Sequence, residues 1–435
     1  MKRTTIGCLV AAAMICAPTW ADAQRTMTVD QLFQLVESGS TAMKVEKSGI
    51  DVAKRGIEEA KSQRLPDINA QLQLSYNGNV LMMDRDFSNA KGMSSPHFGN
   101  SFALEAQQVV YAGGAINAGI RLAELQKEQS ENNVTATRNR QRLLALGQYL
   151  DLYKLENGIK VYESNISLTE KLIDDIKAKH QQGMALKNDI TRYELQMESL
   201  KLGKRKLEDQ RLILSHQLCT TLGIEETDIK TEIDLDNIGD ENCRELDFQQ
   251  RATAQSPQLR LSALGIQMAE QQLKLAKSCL YPKVAVVAAD NFWGPFTYDL
   301  PPINNNFNIW YVGVGVKYSL SSLFKGNKSI RKAKEQVRQS QEAHVLTGEN
   351  VNNNVQQAYT LHKQSFVDLR TQQKSVELAR QNYEVVNNRY LSQLALITDM
   401  IDASNLKLNA ELQEVNAKIN IAYTFYNMKY AAGEI

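Results

Sequence analysis

Proline is missing from the parts of this sequence that are richest in helix formers. Its eight prolines are Pro18, Pro66, Pro96, Pro257, Pro282, Pro295, Pro301 and Pro302, so none falls between 97 and 256 and none after 302. Two long stretches therefore lack the strongest helix breaker. An excess of one charge is also missing, with 50 basic and 49 acidic residues among 435. That balance argues against nucleic acid as the main partner, since phosphate backbones call for a basic surplus. Beyond the first 23 positions there is no run of eighteen apolar residues, so no membrane-spanning helix is expected. Cysteine is scarce there too, limited to Cys219, Cys243 and Cys279. Cys219 and Cys243 could pair in an oxidising compartment, or all three could stay as thiols. No C-x-x-C or His/Cys cluster suggests a metal site, and no G-x-x-x-x-G-K-[ST] loop suggests a nucleotide. The five histidines (His97, His180, His216, His344 and His362) are scattered. The sequence thus points to a protein that works without cofactor, metal or catalytic nucleophile.

What is present begins with an export signal. Lys2 and Arg3 precede the apolar stretch from Ile6 to Ala17, and Ala21-Asp22-Ala23 forms an A-x-A cleavage site, so residues 1–23 read as a signal peptide. Lipidation at Cys16 is disfavoured by the bulky Ile15 before it. A helix start with a capping box follows at Thr28 and Gln31, and helical pattern runs to about Gln63 with a break near Gly39. The period then changes to two: Ile68, Ala70, Leu72, Leu74 and Tyr76 alternate with Asn69, Gln71, Gln73, Ser75 and Asn77. A loop spans Gly78 to Asn100. A second strand covers Ser101 to Tyr111, with Phe102, Leu104, Ala106 and Val110 opposite Glu105 and Gln107. The next helical stretch, from about Ala115 to Lys179, would be on the order of 95 Å long, too long for a globular helix and right for a coiled-coil or barrel stave. A turn at Gly183 leads to a helix with the near-heptad seam Ile190, Tyr193, Met197, Leu200, Leu207, Leu214 and Leu218, interrupted by Lys204 and Arg211.

After an acidic, irregular connector at 223–256 the order repeats. Ser256-Pro257 starts a helix. Val284 to Trp293 forms a strand with weak alternation, and Gly294 to Asn308 a loop. A clear strand then places Trp310, Val312, Val314, Val316, Tyr318 and Leu320 opposite Gly313, Gly315, Lys317 and Ser319. A second very long helix ends at Tyr390-Leu-Ser-Gln-Leu-Ala-Leu-Ile-Thr-Asp-Met-Ile-Asp-Ala403, a turn related to His180–Ile190 at a spacing of 210 residues: Gly183 aligns with Gln393, Ala185 with Ala395, Leu186 with Leu396 and Asp189 with Asp399. The last helix has the seam Ile401, Leu408, Leu412, Val415, Ile419 and Tyr426. The division expected is 24–240 for the first repeat and 241–435 for the second, each with helix, two strands and a long helical hairpin.

Strands about ten residues long, apolar on one face and polar on the other, fit either a transmembrane β-barrel or an ordinary half-exposed sheet. Under the barrel reading Tyr76, Phe292, Trp293, Trp310 and Tyr318 are the interfacial girdle. Four strands cannot close a membrane pore, so the chain must then oligomerise, and three copies give twelve strands. The duplicated order resembles the TolC-like outer membrane efflux protein family over nearly all of 28–433. The matching motifs are Leu280-Tyr281-Pro282-Lys283, Tyr311-Val312-Gly313-Val314 and Thr398-Asp399-Met400-Ile401-Asp402-Ala403. The resemblance implies a mainly α fold with β, in duplicated halves. It implies a trimeric, twelve-stranded outer membrane β-barrel continued by a long α-helical periplasmic barrel. It further implies a passive conduit for efflux or type I secretion in the cell outer membrane of a Gram-negative bacterium, docked on a periplasmic adaptor fed by an inner-membrane pump of RND, ABC or MFS type.

The same resemblance implies site residues. Asp399 and Asp402 match the paired carboxylates of the periplasmic constriction, where three copies make a ring of six that favours cations. An alternative reading has these acids simply favouring a helix N-terminus. Tyr390 and Asp189 match residues whose links between helices hold the tip closed. Gly183, Met184, Gln393 and Leu394 occupy the adaptor-contact tip. The family's arginine two residues past the second turn glycine is replaced by Ala395, and the glycine itself by Gln393, so the salt-bridge part of that lock has no counterpart at this position. Two other classes stay open: a periplasmic adaptor, which carries one hairpin and a compact β-domain, and a structural coiled coil, which needs no girdled strands. No residue names the cargo.

Overall fold

The computed structural model describes residues 25–227, 229–233, 235, 238–297, 302–392 and 394–435. The signal-peptide stretch and Gln393 lie outside the described residues. In chain order the elements are β1 (Arg25–Met27), α1 (Val29–Gly39), α2 (Thr41–Ser62), β2 (Asp67–Tyr76), β3 (Val80–Met82), β4 (Lys91–Met93), β5 (Phe98–Tyr111), α3 (Ala115–Gln181) and α4 (Lys187–Leu222). There follow β6 (Ile229–Thr231), α5 (Glu245–Gln255), α6 (Pro257–Ser278), β7 (Lys283–Gly294), β8 (Phe307–Lys317), α7 (Ser322–Leu391) and α8 (Ile397–Ala431). The chain contacts itself in two units, and each unit draws on both halves of the sequence.

One unit comprises 1–41, 141–241 and 361–426. The Thr28 hydroxyl accepts from the Gln31 amide and the Gln31 side chain accepts from the Thr28 amide, so the capping box forms as expected. α1 stops where its last residue meets α4: a Cβ on Gly39 would sit 2.1 Å from the Leu222 carbonyl oxygen, and one on Gly223 would sit 2.3 Å from the Gly39 oxygen. Only glycine at both positions permits that approach. Leu32 and Val36 of α1 pack with Leu146, Tyr149 and Leu150 of α3, Leu218 and Leu222 of α4, and Ile419 and Ala422 of α8. β1 pairs in parallel with β6 over this core. The buried Tyr149 hydroxyl ties the two strand ends together, accepting from the Glu232 amide at 2.8 Å and donating to the Met27 carbonyl oxygen at 2.5 Å. Burial pushes its pKa up to about 12. The cations that interrupt the α4 seam reach back to acids of α3: Lys204 lies 2.9 Å from Glu163, and Arg211 3.8 Å from Glu156. The sequence expects an irregular connector at 223–256, whereas β6 and α5 are ordered within it. A three-residue strand is too short to leave a periodic signal. Cys219 is buried with its thiol towards the Thr227 carbonyl oxygen, and no disulfide is present among the described residues.

The other unit comprises 42–140, 242–360 and 427–435. Its centre is a four-stranded antiparallel sheet in the order β2-β5-β7-β8. Each sequence half contributes one hairpin, and β5 joins β7 along the middle with a bulge between Val109 and Tyr111. The loop expected over Gly78 to Asn100 carries the short hairpin β3–β4. Ser256 caps α6 by accepting from the Leu259 amide, with Pro257 at the first turn, as the sequence implies.

Candidate functional site

The sheet separates its side chains by chemistry. Directly paired residues share a face, so the register fixes which residues sit together. One face carries Ile68, Ala70 and Leu72 of β2, Ala106, Leu104 and Phe102 of β5, Ala288 and Phe292 of β7, and Val312 and Val314 of β8. The other carries Asn69, Gln71 and Gln73, Glu105 and Ser101, Ala285 and Ala289, and Gly313 and Gly315, with Ile309 and Tyr311 as its large exposed side chains on β8. The apolar face has nothing packed over it: Val312 is 68% exposed, and Tyr76, Leu72, Trp310 and Val316 are as open or nearly so. Leaving such a row in water forgoes roughly 1.5–3 kcal/mol per large side chain relative to burial. β2 and β8 are the two edges, each exposed along its length. An exposed, flat, apolar edge strand is a template for a further strand.

Four of the five girdle residues expected from sequence fall into two groups by register. Phe292, Trp310 and Tyr76 lie on the apolar face, with the Tyr76 ring stacked on His97 at 5.2 Å. Trp293 does not join them. It pairs with Phe307 and Ser101 on the opposite face and forms a cluster with Phe296 and Phe307. Adjacent strand residues point to opposite faces, so Phe292 and Trp293 cannot belong to one belt. The fifth, Tyr318, follows β8 directly and is partly exposed. The sheet also shows an acid that periodicity did not single out. Asp290 sits on the apolar face, directly opposite Leu104 and Trp310, and its Oδ1 is buried without a hydrogen-bond partner.

At the hairpin ends the two turns repeat one hydrogen-bond pattern. The Met184 amide donates to the Lys179 carbonyl oxygen at 2.9 Å, and the Leu394 amide to that of Arg389 at 2.8 Å. The Leu186 amide donates to Asp189 Oδ2 at 3.1 Å, and the Leu396 amide to Asp399 Oδ2 at 3.0 Å. Asp189 and Asp399 therefore each sit three residues into their helix and satisfy the amide just before it, a charge-assisted cap. Gly183 has φ +75°, the left-handed conformation that glycine adopts freely. Asp399 and Asp402 are exposed, and so are Met184, Leu186, Leu394 and Leu396.

Behind these turns the helices close on a core of Ile173 and Ile176 of α3, Tyr193 and Met197 of α4, Tyr383 of α7, and Ile397, Met400 and Ala403 of α8. Tyr390 packs against it, with the Lys179 ammonium 5.6 Å from its ring centre. Burial, then the nearby Asp189 carboxylate, raises the Tyr390 hydroxyl above its ordinary pKa. The Tyr193 hydroxyl is buried without a partner and is driven higher still, first by burial and then by Tyr390, Tyr383 and Asp189. Asp189 and Tyr390 are thus neighbours, although the Asp189 oxygen is used on the Leu186 amide. Links between the hairpins come from residues that the sequence did not single out. Gln196 of α4 donates to Asn405 of α8 at 2.7 Å and Asn165 of α3 to Glu411 of α8 at 3.4 Å, while Arg380 of α7 reaches the same Glu411 within the second hairpin at 3.2 Å. Polar residues on a long polar helix carry no signal of which neighbour they face.

Among the described residues no helix is long and apolar enough to cross a membrane, and no cluster of three or more His, Cys, Asp or Glu could hold a metal. Residues 249–434 match the family model for outer membrane efflux protein. No curated protein matches the chain by sequence. Solved structures match almost its whole length. The outer membrane protein VceC of Vibrio cholerae aligns with a TM-score of 0.71 at 14% identity, over 93% of this chain and 96% of that one. The CmeC outer membrane channel of Campylobacter jejuni gives 0.72 at 14% identity, over 93% and 85%. The open state of the MtrE outer membrane channel of Neisseria gonorrhoeae gives 0.72 at 13% identity, over 93% and 88%.

Proposed function

We propose that this chain, which has the fold of the outer membrane channels throughout and the sequence pattern of the outer membrane efflux proteins over 249–434, is the outer membrane channel of a tripartite efflux or type I secretion system. Residues 1–23 direct export, and the repeats 24–240 and 241–435 each supply one β-hairpin and one helical hairpin. Three copies join β8 of one to β2 of the next and close a twelve-stranded barrel in the outer membrane. The long helices extend into the periplasm as a tunnel. The tips at Gly183, Met184, Gln393 and Leu394 meet a periplasmic adaptor, fed by an RND, ABC or MFS pump. Asp399 and Asp402 ring the periplasmic constriction, and Tyr390 with Asp189 forms part of its latch. Transport through it is passive.

The observation that carries this reading is the four-stranded sheet, with an exposed face that is mainly apolar, Asp290 and Asn308 being among its polar interruptions, an opposite face that is polar along β2, and two open edges. Lipid covers such a face, and neighbours of the same kind close such edges. The test is purification from outer membranes in detergent, followed by planar-bilayer recording. The expected result is a heat-sensitive trimer that conducts ions. A water-soluble monomer without conductance would overturn it and favour an adaptor or a structural coiled coil.

A further inference from the structure

The face of the sheet opposite the apolar one is polar or small-sided along β2 and β5, carries Ile309 and Tyr311 on β8, and gathers three further aromatic rings into a cluster at one end. Trp293 pairs with Phe307 on this face, and their ring centres are 5.3 Å apart. Phe296 lies 5.5 Å from Trp293 and 6.1 Å from Phe307. It is drawn back onto the sheet by reciprocal 2.9 Å hydrogen bonds between its own backbone and that of Ile303. All three rings are partly exposed. They sit at the loop end of the sheet, since α2 and α6 enter it near Asp67 and Lys283, and α3 and α7 leave it beyond Tyr111 and Lys317.

We propose that Trp293, Phe296 and Phe307 form a contact site for planar aromatic cations on the lumen side of the channel, near its outer mouth. The inference rests on the barrel reading, which turns this face inward and repeats the patch three times around the lumen. A belt that anchors a barrel in lipid belongs on the apolar face, so these rings have a different role. Flat aromatic rings in tilted and edge contacts bind other flat π systems, and the face of an indole attracts cations most strongly. Charge on this face agrees. The register puts the carboxylates Asp67 and Glu105 in adjacent rows here, and the lysines Lys283 and Lys317 nearer the helix end. From Glu105 to the aromatic row, four residues or about 14 Å along the strand, no strand residue on this face carries positive charge. A cation beyond the lysine row therefore meets two carboxylates and then the rings, with no further like charge on the strands of this face.

Two tryptophans follow the signal stretch, Trp293 and Trp310, and they lie on opposite faces. Trp310→Phe leaves Trp293 as the only indole reporter in the mature chain. Detergent-purified trimers of this variant, first checked for conductance in bilayers, are titrated with N-methylquinolinium, with tetramethylammonium as the aliphatic cation and naphthalene sulfonate as the aromatic anion. The expected result is saturable quenching by N-methylquinolinium alone. Phe307→Leu, which keeps apolar bulk to hold the loop but removes the π face, should weaken the apparent affinity about tenfold, while Phe307→Tyr should preserve it. Non-saturable quenching, equal effects of all three probes, or a Phe307→Leu trimer that binds like its parent would each overturn the site while the channel reading stands. Failure of the unsubstituted chain to form a conducting trimer would overturn both.

Discussion

At the hairpin ends, Ile176, Tyr193, Met400 and Ala403 are buried against one another within a single chain. On the sheet, Ile68, Leu72, Val312 and Val314 stand open, with none of the described residues across them. Both regions carry large apolar side chains but dispose of them differently. The hairpins complete their own core, so their apolar side chains stabilise the fold in any solvent that tolerates helices. The sheet completes its hydrogen-bond ladder only between its four strands and leaves both edges open, and its apolar face gains stability when lipid or detergent covers it. Stability of the first region should therefore respond to packing defects and that of the second to surroundings.

The largest expected effect tests the first half of that contrast. Met400 is fully buried among α3, α4 and α7 side chains. Met400→Ala should destabilise the hairpin ends by roughly 2–5 kcal/mol, through lost contacts and the cavity left behind. Hydrogen exchange of α4 and α8 amides should accelerate to the same degree in detergent and in lipid vesicles. An effect that vanished in lipid would mean that the hairpin core depends on the membrane as the sheet does.

The second test uses the two faces of the sheet. Val312 lies on the apolar face and Gln71 on the polar one. Val312→Arg should oppose folding into vesicles by roughly 2–4 kcal/mol, the range for a cation on the lipid face near the bilayer centre, whereas Gln71→Arg should change it by less than about 0.5 kcal/mol. The readout is the denaturant midpoint for barrel assembly in lipid. Equal effects of the two substitutions would remove the distinction between the faces.

These regions also differed in how much of them the sequence disclosed. β2 and the later part of β8 are legible because alternation survives wherever one face is apolar and the other polar or glycine, whereas Phe307, Ile309 and Tyr311 break it at the start of β8. β7 alternated weakly for reasons now visible: Asp290 interrupts its apolar face, while Ala285, Val287 and Ala289 fill the other. The barrel reading of the sequence puts Trp293 in one girdle with Phe292, and the pairing with Phe307 separates them. The long helices followed from the absence of proline, and the duplicated turns from matched residues 210 positions apart. The links Gln196–Asn405 and Arg380–Glu411 left no trace, because which face of a polar helix meets which neighbour is decided by packing. β1 and β6 were missed because three residues carry no period.

The smallest expected effect separates two roles that sequence alone left joined at Asp399 and Asp402. Asp399 accepts the Leu396 amide, as Asp189 accepts the Leu186 amide, whereas Asp402 is exposed one turn further along α8. If capping were the whole role of these acids, Asp399→Ala alone would matter, at a cost of about 1 kcal/mol to the helix start. The Leu396 amide would then exchange several-fold faster, with Asp189→Ala doing the same at Leu186 and Asp402→Ala doing nothing. A carboxylate ring adds a second, different consequence. Both Asp399→Ala and Asp402→Ala should weaken block of channel current by multivalent cations, because each removes three of the six charges in the trimer. Asp189→Asn, which retains an acceptor oxygen, should leave block near the parent value, since the proposed ring does not include Asp189, whose carboxylate accepts the Leu186 amide. Weakened block in Asp402→Ala without faster exchange at Leu396 would assign Asp402 to the constriction and to no structural role. Unchanged block in both alanine variants would leave the two turns as matching caps, one on each hairpin, and move the gate elsewhere on the helices.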